Sequence, residues 1–162
     1  GFEQRIRATT DPRIRFPGFI YGARTHALMK HAYAYVQPSD VEGLSPVILE
    51  NMGLQTPVIC SDIVENAYVV GDDARLFSRG DIADCRAALQ WALDHPDALA
   101  RLGRAGYRRA SKLFSWTRVA AAHERVFEGL PADLPGVDTS GGAKPTSGLS
   151  SSVSAQHTQA LR

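Results

Sequence analysis

Apolar residues along the chain fall into short runs rich in β-branched and aromatic side chains, and these alternate with segments whose apolar positions recur every three or four residues. Such alternation signals a parallel sheet with helices packed on its faces, because parallel neighbours have to be joined by crossover segments. The order reads strand, helix, strand, helix, strand, a fourth short strand, then helices. The runs predict strands at residues 15–19, 34–37, 57–60 and 74–78, with Pro57 at a strand's first position, where its missing N–H does least harm. Helices are expected over residues 23–32 and 46–54. A third, Ile82–Asp94, opens on Asp81 as N-cap and should turn Ile82, Cys85, Leu89 and Leu93 toward the core. The next begins at Pro96 and should carry Leu99, Leu102 and Ala105 inward. The last, capped by Ser115, should bury Trp116, Val119, Ala120, His123 and Phe127, with Gly129 closing it. This is an α/β class with a Rossmann-like parallel sheet.

Composition sets the scale. The 162 residues, 44% of them apolar, suit a single packed domain, expected over residues 1–130. From residue 131 to 162 Ser, Gly, Thr and Pro dominate and aromatic residues are absent, so a disordered tail is expected there. The 18 basic and 17 acidic residues leave a formal charge of +1, which gives no general reason to expect nucleic acid as a partner. Cys60 and Cys85 lie in apolar runs without the spacing of a metal knuckle or a disulfide framework, so reduced thiols and a cytoplasmic setting are expected. No run approaches the ~18–20 apolar residues of a membrane span, and no basic-then-apolar leader opens the chain.

Candidate chemistry concentrates in residues 37–50, QPSDVEGLSPVILE, where a strand ends, an acidic glycine-containing turn follows and a helix begins. In open parallel sheets the binding crevice lies beyond the carboxyl ends of the strands, and a helix N-terminus there offers free N–H groups and a positive dipole end to phosphate. Gly43 lets a ligand approach the backbone, Ser45 serves as N-cap and Pro46 suits the first helical position. Glu42 lies in the turn and Glu50 about one turn into the helix, with seven residues between them, so both carboxylates can reach one cleft. A carboxylate accepts paired hydrogen bonds from vicinal hydroxyls, as on a ribose or hexose. The plainer account of the same spacing is a solvated turn acid and a helix-start acid held by the dipole.

The segment resembles the signature of the large glycogen-synthase-like, mostly retaining glycosyltransferase family (group 1) with the GT-B fold, whose hallmark is two glutamates separated by seven residues. RFPGF, the Pro38-Ser39 pair, EGLSPVILE, TPVICSD, GDDARLFSRGD and the FSW at 114–116 resemble family blocks in the same order, over about residues 13–128. The resemblance implies a C-terminal donor-binding half and a nucleoside-diphosphate sugar as donor, with no metal or other cofactor. Glu42 would meet the hydroxyls of the transferred sugar and so stand as the catalytic residue, and Glu50 would meet the ribose. Gly43, Leu44 and Ser45 would supply donor contacts, and Phe19 and Ile20 would border the base, although core packing accounts for Phe19 more simply. Asn51 stands where alanine is usual, and Gln55 where a helix-ending glycine is usual, which leaves that helix exit strained or differently capped.

The same resemblance implies elements that would precede Gly1: the first strand and helix of the sheet, an Arg and Lys pair that neutralises the departing diphosphate, and the acceptor-binding N-terminal GT-B domain. Without them the donor half is expected to be inactive alone. The acceptor, a glycan, lipid or small molecule, stays open. A non-catalytic nucleotide-sugar-binding module is the alternative. An ordinary Rossmann dehydrogenase is disfavoured because no Gly-x-Gly-x-x-Gly follows a strand.

Other polar residues carry less. His26 and His31 have the wrong spacing for two ligands on one helical face, and His123 falls on an apolar stripe. Asp62 and Glu65 could face the cleft or cap the next turn. Arg101, Arg104, Arg108, Arg109 and Lys112 lie mostly on one side of a helix, read as a solvated face with peripheral membrane contact as the lesser alternative.

Overall fold

The computed structural model describes residues 2–130, and the stretch expected to be a disordered tail lies outside the described residues. The elements are helix α1 (Phe2–Arg7), α2 (Ala23–His31), strand β1 (Tyr35–Gln37), α3 (Pro46–Gly53), β2 (Val58–Ser61), α4 (Val64–Val70), β3 (Arg75–Phe77), α5 (Ile82–Asp94), α6 (Pro96–Leu113) and α7 (Trp116–Phe127).

The strands form a parallel sheet in the order β1-β2-β3, with Tyr35 opposite Val58, Gln37 opposite Cys60, Ile59 opposite Arg75 and Ser61 opposite Phe77. Central β2 is buried along its whole length, as a strand covered on both faces must be. Its side chains alternate between two cores. Val58 and Cys60 join Ile48 and Met52 of α3, Val69 and Val70 of α4 and Ala110 of α6. Ile59 joins Phe77, Ala88 and Ala92 of α5 and Leu99 of α6. Two-faced packing of this kind is the α/β architecture the alternating runs predict.

Helix ends follow the chemistry of their termini. Asp81 accepts from the N–H groups of Ala83 at 2.8 Å and Asp84 at 3.0 Å, which caps α5 as expected. At the exit of α3 the Gln55 N–H bonds the Met52 carbonyl and the Thr56 N–H bonds the Asn51 carbonyl, the two-bond Schellman closure. Gln55 takes the left-handed conformation this closure demands, φ 63°, which an L side chain adopts at an energetic cost. Gly103 of α6 packs on that exit, since a Cβ there would lie 2.4 Å from the Gln55 carbonyl oxygen.

Several expectations need correction. Residues 15–19 are not a strand: Gly18 at φ 71° breaks the extended path, and Pro17 removes a ladder donor. Helix α5 is rotated from the predicted face. Ile82 is 85% and Leu93 64% exposed, while Ala88 and Ala92 are buried, because small residues let the helix lie close on Ile59 and Phe77. In α7 Trp116 and Phe127 are each 87% exposed and Ala120 and His123 are exposed as well, leaving Ala122 as the buried residue. The apolar period marks a helix, but periodicity alone does not show that its apolar face is covered. Helix α4 was not expected beyond a turn.

Candidate functional site

Where β1 ends, the chain crosses residues 38–45 to reach α3, at the carboxyl end of the sheet. The last strand residue, Gln37, is buried, so both ends of its amide need partners. Its Nε2 donates to Glu42 Oε1 at 2.9 Å and to Ser45 Oγ at 3.2 Å. Its Oε1 accepts from the Tyr35 hydroxyl at 2.8 Å. The Ser39 hydroxyl donates to the same Glu42 oxygen at 2.6 Å. One carboxylate oxygen is thus held by two donors, while among the described residues Oε2 takes none.

The loop is tied down from below as well. Ser61, at the end of β2, donates its hydroxyl to the Ser39 carbonyl, and Asn66 of α4 donates to the Ser61 carbonyl and hydroxyl, each at 3.2 Å. Asp62 accepts from the Arg79 N–H at 2.8 Å, and the Arg79 guanidinium reaches the Asp40 carbonyl at 3.4 Å. The carboxyl ends of all three strands therefore converge on one loop. Burial raises the Tyr35 phenol above its ordinary value, and the nearby Glu42 and Cys60 charges add to that rise. Burial alone pushes the Cys60 thiol up to about 12.

Ser45 is the N-cap of α3, its Oγ accepting from the Ile48 N–H at 3.4 Å, with Pro46 following as expected. A Cβ on Gly43 would meet nothing within 4 Å, and its φ is not positive, so neither packing nor backbone geometry calls for glycine there. The side that a Cβ would occupy is open. Leu44 is 52% exposed beside it. Among the described residues the N–H groups of Gly43, Leu44 and Val47 find no acceptor.

Glu50 lies on the exposed side of α3, and its carboxylate takes no hydrogen bond among the described residues. Glu42 and Glu50 share no partner: the first is anchored, the second free. Phe19 is 91% exposed, which overturns the core-packing account of it, and it stacks on Tyr21 with ring centroids 6.2 Å apart. Both, with Ile20, Arg24, Leu28 and His31, line a groove of about 1130 Å³. Asn51 is fully buried, its Nδ2 donating to the Val47 carbonyl at 2.9 Å.

Two contributors escaped the sequence reading. Asn66 is fully buried in a helix too short to show a period, and Arg79 sits in what reads as a plain turn. A cation directly after a strand was the available signal for Arg79. Arg109, in turn, leaves the basic group expected of it. Its guanidinium donates to the Val69 carbonyl at 2.8 Å and the Tyr68 carbonyl at 2.9 Å, closing the C-terminal end of α4.

Comparison with known proteins adds an independent line. The family model described as "Glycosyl transferases group 1" matches residues 1–95. The chain is 40% identical over 105 residues, 63% of its length and 26% of the relative's, to the MMP alpha-(1->4)-mannosyltransferase of Mycolicibacterium hassiacum. It is 33% identical over 124 residues, 75% of its length and 29% of the relative's, to the glycogen synthase of Mycobacterium tuberculosis. Among solved structures, the sucrose-phosphate synthase of Thermosynechococcus elongatus superposes with a TM-score of 0.72 at 25% identity, over 79% of this chain and 33% of that one. The chain thus spans between a quarter and a third of the length of these proteins.

Proposed function

Because the chain belongs to the group 1 glycosyltransferases, we propose that it is the donor-binding part of an enzyme that transfers a hexosyl group from a nucleoside-diphosphate sugar to an acceptor. The observation that carries this reading is the anchored Glu42 carboxylate, one oxygen held by Gln37 and Ser39 and the other open, beside unpaired amides at the head of α3. Sugar hydroxyls donate to the open oxygen. The diphosphate lies over Gly43 and against the N–H groups of Gly43, Leu44 and Val47, where the helix dipole favours negative charge. Ser45 holds that helix start in place through its cap.

Glu50, one turn on, accepts from the ribose hydroxyls, and the groove beside Phe19 and Ile20 receives the base. Glu42 is the catalytic residue of this chain in the sense that it touches the transferred sugar. Hydrogen bonds from the sugar that strengthen as positive charge develops at its anomeric carbon favour the transition state over the bound donor. Retention of configuration follows from the family resemblance, as does the need for an acceptor-binding domain and for the cationic pair. No metal is invoked, because amides, a helix dipole and cations serve the diphosphate. The donor-binding unit is assigned to residues 1–130, with the cytoplasm as its setting.

Calorimetric titration of the chain with UDP, GDP and ADP and with the matching sugar donors tests this. Saturable binding of one nucleotide series is expected, and no binding of any of them would remove the assignment.

A further inference from the structure

A second groove lies at the opposite end of the sheet from Gly43, where β3 begins. It measures about 480 Å³ and is lined by Arg75 at the start of β3, Trp91 of α5, and Arg101, Leu102, Arg104 and Arg108 of α6. The three α6 arginines recur at three- and four-residue spacing and so share one helical face. No acidic residue lines the groove, and among the described residues none of its four arginines has a carboxylate within ion-pair distance. Asp84 bears on it: its charge interacts with Arg75 while its carboxylate is taken up by the Ser78 N–H and hydroxyl at 2.7 and 2.8 Å, and Asp97 stands one turn before Arg101 on α6.

Arg75 is placed with care. Its guanidinium lies over the Trp91 ring, 5.1 Å from the centroid, and Trp91 also stacks with His95 at 5.2 Å. The ring fixes the arginine, yet its Nε is buried without a hydrogen-bond partner among the described residues. The terminal nitrogens of a guanidinium match the oxygens of phosphate.

We propose that this groove is a second anion site, taking a phosphate-bearing small molecule through Arg75, Arg101, Arg104 and Arg108. It is distinct from the proposed donor site, because the amino end of β3 and the carboxyl end of β1 lie at opposite ends of a parallel sheet. A concave groove of this size suits a small ligand.

Trp91 supplies the readout. In a Trp116→Phe chain it is the remaining tryptophan, so its emission reports the groove and not the donor site. Titration with inorganic phosphate and pyrophosphate should change that emission saturably. Arg104→Ala and Arg108→Ala, both at exposed positions, should each weaken the response about tenfold, the usual worth of one charge-assisted bond, with the far-ultraviolet spectrum unchanged. Glu42→Ala should leave it intact. No saturable change, or one that survives removal of both arginines, would overturn the proposal. So would binding to vesicles of anionic phospholipid with no response to either phosphate, which would make the face a membrane contact.

Discussion

Gln37 Nε2 donates to Glu42 Oε1 across 2.9 Å, joining a buried strand-end amide to a loop carboxylate. The same amide also receives the Tyr35 hydroxyl and bonds the Ser45 cap, so one side chain aligns the strand end, the loop and the helix start. Gln37→Leu should therefore destabilise the chain by about 1–3 kcal/mol, the range for stranding buried polar partners. It should also lower affinity for a sugar-bearing donor more than for the bare diphosphate, since Glu42 loses an anchor. Urea unfolding together with calorimetry checks both.

At the exit of α3 the left-handed Gln55 predicts a gain from glycine. Gln55→Gly should raise stability by about 1 kcal/mol, because the steric penalty of an L residue there exceeds glycine's extra chain entropy. Gly103→Ala should do the reverse and lose about 1–3 kcal/mol, the scale of overpacking, since its Cβ would press on the Gln55 carbonyl. The two midpoints of urea unfolding should move in opposite directions.

Arg109 closes α4 through two carbonyls and crowds Gly71, whose φ is 55° and whose added Cβ would lie 2.7 Å from the guanidinium. Arg109→Lys should destabilise by about 1–2 kcal/mol because an ammonium cannot make both bonds of the fork. An unchanged thermal midpoint in that variant would show the carbonyls to be satisfied another way.

The thiol of Cys60, pushed up to about 12 by burial, should resist alkylation in the native chain and react once urea unfolds it. The sign of its pH linkage follows. A folded value raised above the unfolded 9.0 gives stability that is complete below pH 9 and falls as pH rises toward 12, and the raised Tyr35 phenol acts in the same direction. Cys60→Val should flatten that alkaline limb in thermal scans between pH 8 and 11.

Much of this was legible in sequence, and the reasons are local. Asp81 and Ser45 announce their helices because a cap is a side-chain property, and the run at Val58–Ser61 shows a strand covered on both faces. The face of α5 was not legible: Leu89 and Leu93 are larger than Ala88 and Ala92, yet close approach to the sheet selects the smaller pair. Residues 15–19 have strand composition, but Pro17 and Gly18 break the run locally. At the site, the sequence shows two carboxylates at one spacing and cannot separate an anchored Glu42 from a free Glu50, because the anchor comes from Gln37 and Ser39 in three dimensions.

The central claim, that Glu42 meets the donor's sugar and Glu50 its ribose, is tested most directly by measuring affinities of a bare nucleoside diphosphate and its sugar conjugate on the wild-type, Glu42→Ala and Glu50→Ala chains. Glu50→Ala should weaken both ligands about tenfold or more, as loss of a charge-assisted pair does. Glu42→Ala should leave the bare diphosphate unchanged and erase the preference for the conjugate. Equal affinities across all three chains would contradict the placement of both residues.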